Sequence, residues 1–312
     1  MVSGTNRRDH RVRIAPLDQP ALPLDFADPW EHVRLLSDQP RNDALLALLA
    51  RRAPGARVVE VGCGTGLLSC VAAKLGATHV YAVEPTALAG AARELVAANA
   101  LADRVTVLES RIEDLEPRPC DLVFSELLNA DPFLEGVVPA MNAARAWLAP
   151  GAVLSPRRLQ VYVGLAWATE SAEEHALARG EVDRIGERYG LAVGGLQEVL
   201  AVRHPMRFVT HHERAISSIA LAFDLPIGTG EEAPVETEVV VRARVAGDVG
   251  GAIVWFAAEV DDGLTHTNPP GAQSHWGQLV CAWTRTREVR IGEAVRLTVR
   301  RVDAELLVVP AD

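Results

Sequence analysis

The stretch Val58-Val-Glu-Val-Gly-Cys-Gly-Thr-Gly66 decides how the chain is built. Its valine-rich start suits a short buried strand. Glycines 62, 64 and 66 follow at once, and a helical pattern, Leu67–Leu75, follows them. Glycine permits the sharp turn and lets backbone amides approach a ligand at a helix start. Working outward, His79–Val83 reads as a strand, Thr86–Ala100 as an Ala-rich helix, Val105–Leu108 and Asp121–Ser125 as strands, and Val137–Leu148 as a helix that stops before Pro150-Gly151. Upstream, Asn42–Arg52 reads as a helix behind Asp38 and Pro40, ended by Pro54-Gly55. This alternation predicts a parallel sheet covered by helices on both faces.

Beyond Pro156 the period changes. Leu159–Ala166, Ile216–Leu225, Thr237–Val245, Ala252–Val260, Gln278–Arg285 and Val295–Val309 are strand-like, several with one apolar and one charged face. They predict antiparallel strands of a sandwich or barrel. Glu170–Tyr189, charged and Ala-rich, is a helical excursion from that pattern. The division is therefore an N-terminal segment over 1–40, an α/β Rossmann-like domain over 41–155, and an antiparallel β domain over 156–312 with a helical arm at about 170–192.

Composition excludes several classes. A chain of 312 residues with 49% hydrophobic side chains is neither disordered nor fibrous. No apolar run approaches the roughly 18 residues of a membrane helix, and the basic N-terminus lacks the apolar core of a secretion signal. Against 31 basic residues stand 41 acidic ones, a net charge of −10, which argues against nucleic acid as a partner. Cys63, Cys70, Cys120 and Cys281 form no CxxC pair, fitting a reduced cytoplasmic protein without structural zinc. His211, His212 and His266 have no ligand partners at metal spacing and read as surface residues, so no metal is expected. Lys74 is the one lysine among many arginines, read as the codon bias of a GC-rich, bacterial genome.

A dinucleotide loop of the form GxGxxG needs a glycine at position 67, which is Leu67. GxGxG after a strand carrying an acidic residue resembles instead the class I S-adenosylmethionine (SAM) methyltransferases. Glu84, at the end of the second strand, stands where an acidic residue accepts from ribose hydroxyls. The plainer reading, a glycine turn without a ligand, leaves Glu84 unexplained.

After the strand Asp121–Ser125 comes Ser125-Glu-Leu-Leu-Asn-Ala-Asp-Pro-Phe-Leu-Glu135, with two glutamates nine residues apart. Here the sequence resembles the protein arginine methyltransferases and their double-glutamate loop. Leu35-Leu-Ser-Asp38-Gln-Pro-Arg41-Asn is similar to that family's N-terminal segment, Arg111-Ile112-Glu113 to its adenine-side segment, and Ser274-His275-Trp276 to its Thr-His-Trp loop. The resemblance covers roughly residues 25–312, with the motifs in order, and looks closest to the monomethylating type III branch. It implies a β-barrel second domain, a helical dimerisation arm and a head-to-tail homodimer. It further implies SAM as cofactor, held by His32, Arg41, Gly62, Gly64, Gly66, Glu84, Ile112 and Glu113. Glu126 and Glu135 would clamp the acceptor, His275 with Asp38 would take a proton, and Leu35, Trp276 and Gln278 would shape the acceptor pocket, with Leu35, Val137 and Gln278 setting product specificity.

The chemistry suits these residue types. Guanidinium is protonated and delocalised, hence a poor nucleophile. Two carboxylates can hold its planar fork and draw charge to one side, leaving the other nitrogen electron-rich. Each residue also has a plainer reading: paired loop glutamates are ordinarily solvated, a His-Trp pair is ordinarily core, Asp38 can cap a helix, and Arg41 can be an ordinary helix-start arginine. The chain departs from the family in having Glu60 for an aspartate, Phe26 and Leu22 in place of an aromatic pair, and Asn129-Ala-Asp131 for the glycine-containing centre of the loop. Asp131 is either a recognition group for the α-ammonium of free arginine or a surface residue. The expected function is arginine Nω-methylation, with free L-arginine preferred over a protein because the chain lacks recognition tails. A methyltransferase for another small molecule and a catalytically dead SAM-binding scaffold are the competing functions.

Overall fold

The computed structural model describes residues 13–14, 35–195, 206–272 and 274–311. Helix α1 (Gln39–Arg52) starts ahead of Asn42 because Asp38 caps it: its Oδ1 accepts the Arg41 amide at 3.1 Å, and Pro40 sits in the first turn, where a missing N–H costs nothing. Five strands follow, β1 (Arg57–Val61), β2 (His79–Val83), β3 (Val105–Leu108), β4 (Cys120–Ser125) and β5 (Leu148–Ser155), with helices α2 (Leu67–Lys74), α3 (Leu88–Ala98) and α4 (Val137–Ala144) between them. They form one parallel sheet in the order β3-β2-β1-β4-β5. The order reverses between β1 and β4, so the loops leaving those two strands open a crevice at their carboxyl ends. The glycine loop leaves β1 and the double-glutamate loop leaves β4.

The remaining strands are antiparallel: β6 (Arg158–Ala166), β7 (Met206–Thr210), β8 (Ala220–Pro226), β9 (Glu236–Arg242), β10 (Gly247–Asp261), β11 (Leu264–Thr267), β12 (Gln278–Val289), β13 (Ala294–Val302) and β14 (Glu305–Pro310). One sheet runs Arg13–Ile14, β7, β12, β10, β6, β8, with β11 on β10, and a second runs β9, β13, β14. Two differences from the sequence reading have local causes. Val295–Val309 is a hairpin, turned at Asp303 with φ 54°, and not one strand. The chain from Val137 leaves the α-helix at Ala144 and tightens into a 3-10 turn, Arg145–Trp147, before β5. Helix α5 (Thr169–Tyr189) lies between β6 and β7 in sequence.

One hydrophobic core joins the two kinds of sheet. Val59, Val61, Tyr81 and Val123 on one face of the parallel sheet, Val137 and Met141 of α4, and Leu159, Val254, Phe256, Leu297 and Val308 of the antiparallel strands belong to a single buried cluster. Val58, Val80, Leu122 and Phe124 on the opposite face pack on α1, α2 and α3. Among the described residues no helix is long and apolar enough to cross a membrane.

Candidate active site

A cavity of about 370 Å³ opens at the crevice, lined by the glycine loop, Leu35 and Arg41 of the N-terminal segment, Glu60, Glu84, Thr86 and Arg111, and both glutamates of the double-glutamate loop. Its glycines are not equivalent. Gly62 and Gly66 have φ near +75°, and a Cβ there would lie 2.5 Å from Leu127 and 2.9 Å from Ala92. These two glycines let the loop pack. Gly64, with φ +51°, would place a Cβ within 4 Å of nothing, so its open side faces the cavity. A cradle that a Cβ would fill suits the close approach of a cofactor. Glu84, buried, accepts the Gly64 amide at 2.9 Å and the Thr86 amide and hydroxyl at 3.0 and 2.6 Å. A carboxylate has about four acceptor positions, and these three bonds leave one, on Oε2, for a ribose hydroxyl.

Glu126 and Glu135 meet from the two ends of their loop. Arg41, 6% exposed, donates to Glu126 Oε2 from Nε at 2.7 Å and again from Nη2. Glu126 Oε1 is buried with no partner. Burial pushes the Glu126 carboxyl up, against the pull of Arg41. Glu135 is pushed up to about 8 by burial and by the neighbouring Glu126, although Asn129 Nδ2 donates to it at 3.0 Å. Glu60 is likewise pushed up to about 8 by burial while accepting from the Ser69 hydroxyl.

The second half of the chain adds His275, whose Nδ1 lies 2.8 Å from Asp38 Oδ2 and whose amide donates to the same oxygen at 2.9 Å. Burial raises the Asp38 carboxyl, but these bonds and the Arg41 amide outweigh it and hold it below the ordinary range. An ionised carboxylate only accepts, so His275 donates from Nδ1 and keeps the lone pair on Nε2. Burial holds the imidazole down at about 4, so it is neutral at pH 7. Trp276 packs beside it, ring centroids 4.4 Å apart, and its indole N–H donates to Leu128 O at 2.9 Å, tying the loop before β12 to the double-glutamate loop.

Several expected residues lie elsewhere. Gln278, assigned to the acceptor pocket, is fully buried, its amide donating to Asn268 O at 3.1 Å, because β12 begins there and turns it inward. Val137 is buried in the core on α4. The 3-10 turn Ile112–Asp114 draws apolar Ile112 into the core and points Glu113 outward, half-exposed on Arg111; of the adenine-side segment, Arg111 lines the cavity. His266 is not on the surface: it is buried against Trp276, and burial holds it down at about 3. Asp131 is neither a surface residue nor open to an ammonium group, being fully buried on Arg207. His32, with Leu22 and Phe26, lies outside the described residues. Asn129 on Glu135 and Arg207 on Asp131 were missed as contacts; the one signal for Arg207 was a lone arginine in the apolar Met206–Thr210. Among the described residues no group of three or more His, Cys, Asp or Glu is placed to hold a metal ion.

Known proteins resemble the chain over the same parts. The family model for ribosomal protein L11 methyltransferase (PrmA) matches residues 42–146. An arginine N(omega)-methyltransferase of Streptomyces achromogenes is 29% identical over 86% of this chain and 75% of its own length. A probable protein arginine N-methyltransferase of rice is 34% identical over 53% of this chain, a match that spans 43% of the rice protein. In fold, a Trypanosoma brucei PRMT1 enzyme-prozyme complex with AdoHcy superimposes with a TM-score of 0.71 at 23% identity, covering 86% of each chain. Protein arginine methyltransferase 10 of Arabidopsis thaliana gives 0.71 at 24% identity, covering 87% of each. In its glycine loop, paired carboxylates and two-sheet fold the chain is thus similar to SAM-dependent methyltransferases, the arginine methyltransferases among them.

Proposed function

We propose that the chain methylates a guanidinium nitrogen of free L-arginine and stops after one methyl group. The observation that carries the arginine reading is the pair Glu126 and Glu135, two buried carboxylates on the cavity of the glycine loop, one keeping an unpartnered oxygen. A buried carboxylate oxygen without a partner is costly, and a cationic fork would relieve it. The Streptomyces relative, named for arginine and matched along most of both chains, supports the free amino acid over a protein acceptor.

In this reading Gly62, Gly64, Gly66, Glu84 and Arg41 hold SAM, with Arg111 on the cavity wall and, by the resemblance, His32 completing its site. Bound SAM supplies an electrophilic methyl on a sulfonium. Glu126 and Glu135 would orient the guanidinium and draw its charge to one side, leaving its other nitrogen electron-rich toward the methyl that bound SAM would supply. Arg41 already presents a guanidinium to Glu126, evidence that the carboxylate accepts one. His275 Nε2 is a neutral base for the proton the methylated nitrogen sheds, and Asp38 fixes the ring and stabilises its charged form. Trp276 walls the slot. The exposed Leu177, Ile185 and Tyr189 of α5 are the apolar face through which a homodimer forms.

The test is mass spectrometry after incubation with SAM, comparing free arginine with an Arg-Gly-rich peptide. A gain of one methyl mass on free arginine is expected. Methylation of the peptide alone moves the acceptor to protein, a second methyl removes the monomethylation reading, and no methylation of either sinks the function.

A further inference from the structure

The double-glutamate loop is held by a buried charged group that its chemistry does not use. Asp131 lies midway between Glu126 and Glu135 with no exposed surface. Its Oδ1 accepts the Phe133 amide at 3.2 Å, and its Oδ2 accepts the Leu306 amide at 2.7 Å and the Arg207 Nη2. Arg207 is 1% exposed on β7, and its Nη1 lies 2.6 Å from Glu305 at the start of β14. The loop is thus fastened to both antiparallel sheets at once. Arg207 is also paired across the sheet with Cys281 on β12, the strand that the His275-Trp276 loop feeds.

Stability does not account for this arrangement. Desolvating an ion pair offsets most of its attraction, and apolar residues of similar volume hold such a space at least as well. Arg207 Nε is buried without a partner, a further cost. What a buried, directional pair gives that an apolar plug does not is a single register. Two carboxylates that share one guanidinium need that, because the productive geometry tolerates displacements of only about 0.5 Å.

We propose that Asp131, Arg207 and Glu305 are positioning residues that lock the double-glutamate loop in the geometry that brings Glu126 and Glu135 onto one acceptor. The proposal rests on reading those two glutamates as the acceptor clamp. It makes the second half of the chain a part of acceptor recognition through a contact distant from His275.

The test is D131N, read by amide hydrogen exchange over residues 126–136, SAM affinity by calorimetry, and kcat/KM for the arginine acceptor. Exchange in that segment should quicken while β1 and β4 keep their protection. The acceptor kcat/KM should fall about 10- to 100-fold, with SAM affinity held within about twofold. Loop exchange like the wild type, or an acceptor kcat/KM within about twofold of it, overturns the proposal. Should D131N fail to fold, the triple variant D131L/R207M/E305Q replaces the charges by apolar or neutral groups and takes the same measurements, with the same expected fall. Loss of fold in both variants makes the group purely structural and overturns the proposal. If the wild type methylates no arginine compound, the acceptor reading fails, and loop exchange in the variants alone decides the positioning role.

Discussion

If Glu135 clamps the acceptor as proposed, it gives the site a pH dependence. With its carboxyl at about 8, the free enzyme at neutral pH holds this group largely protonated, and a guanidinium is clamped by the ionised form. The acceptor kcat/KM should therefore rise with pH through about 8. E135Q should lose that limb and about 10²–10³-fold in kcat, with SAM affinity unchanged by calorimetry; an E135Q enzyme near wild-type activity refutes the clamp. The same group bears on stability. Between its ordinary 4.5 and about 8 the native state holds a proton that the unfolded chain releases, so stability falls as pH rises through that interval. E135Q should flatten this slope in thermal melts, leaving the part due to Glu60, Glu126 and Asp131, whose carboxyls burial also raises. The glycines separate cleanly as well. G64A should cost about 1–2 kcal/mol for its left-handed backbone yet lose SAM affinity tenfold or more, whereas G66A should fail in folding, because its Cβ meets Ala92 at 2.9 Å. Much of this scale was legible: the glycine loop, Glu84 and the two glutamates stand at sequence positions that also say where they sit. Asp131 and His266 were not, because burial by β7, β14 and Trp276 comes from residues far along the chain.

Helix α1 is fastened at both ends, which matters because its first turn carries Arg41. At the start Asp38 caps it and holds His275; at the end Arg52 reaches Asp261 at 2.8 and 3.2 Å, and Arg51 donates to Asp262 O at 2.9 Å. The far pair is asymmetric, Asp261 being 1% and Arg52 36% exposed. Deleting the exposed partner leaves a buried carboxylate, so R52M should cost about 2 kcal/mol, and D261A about 1 kcal/mol, since freed Arg52 reaches water. Denaturant melts giving the reverse order would show that the pair does not anchor the helix. Elements were read well where period and punctuation agree, as in β2, β3 and α5. They were misread where the signal lies in one residue: the β13–β14 turn rests on Asp303, and buried Arg207 in β7 and buried His266 in β11 break the apolar pattern. Gln278 was misplaced for a related reason, since a strand's first residue faces either side until its partners are known.

At the scale of the molecule, acidity gains an address. Four of the residues lining the cavity are glutamates, Glu60, Glu84, Glu126 and Glu135, against Arg41 and Arg111, a balance that turns acidic, and draws a cationic acceptor inward, as Glu60 and Glu135 ionise above about 8. Raising ionic strength should lower the acceptor kcat/KM more than SAM affinity. Helix α5 buries Ser171, Ala172, Val182 and Gly186 and leaves Leu177, Ile185 and Tyr189 exposed. L177E/I185E should convert a dimer into monomers by light scattering; a monomeric wild type removes the dimer instead. The shared core has one more consequence, which concerns synthesis. The face of the parallel sheet bearing Val59, Val61 and Val123 belongs to the same cluster as Phe256, Leu297 and Val308, which come much later in the sequence. On the ribosome, where N-terminal parts emerge first, α4 is there early to pack on that face, but the rest of the cluster lacks its partners until the antiparallel strands are made. That interval, more than the finished structure, is where this chain is vulnerable to aggregation.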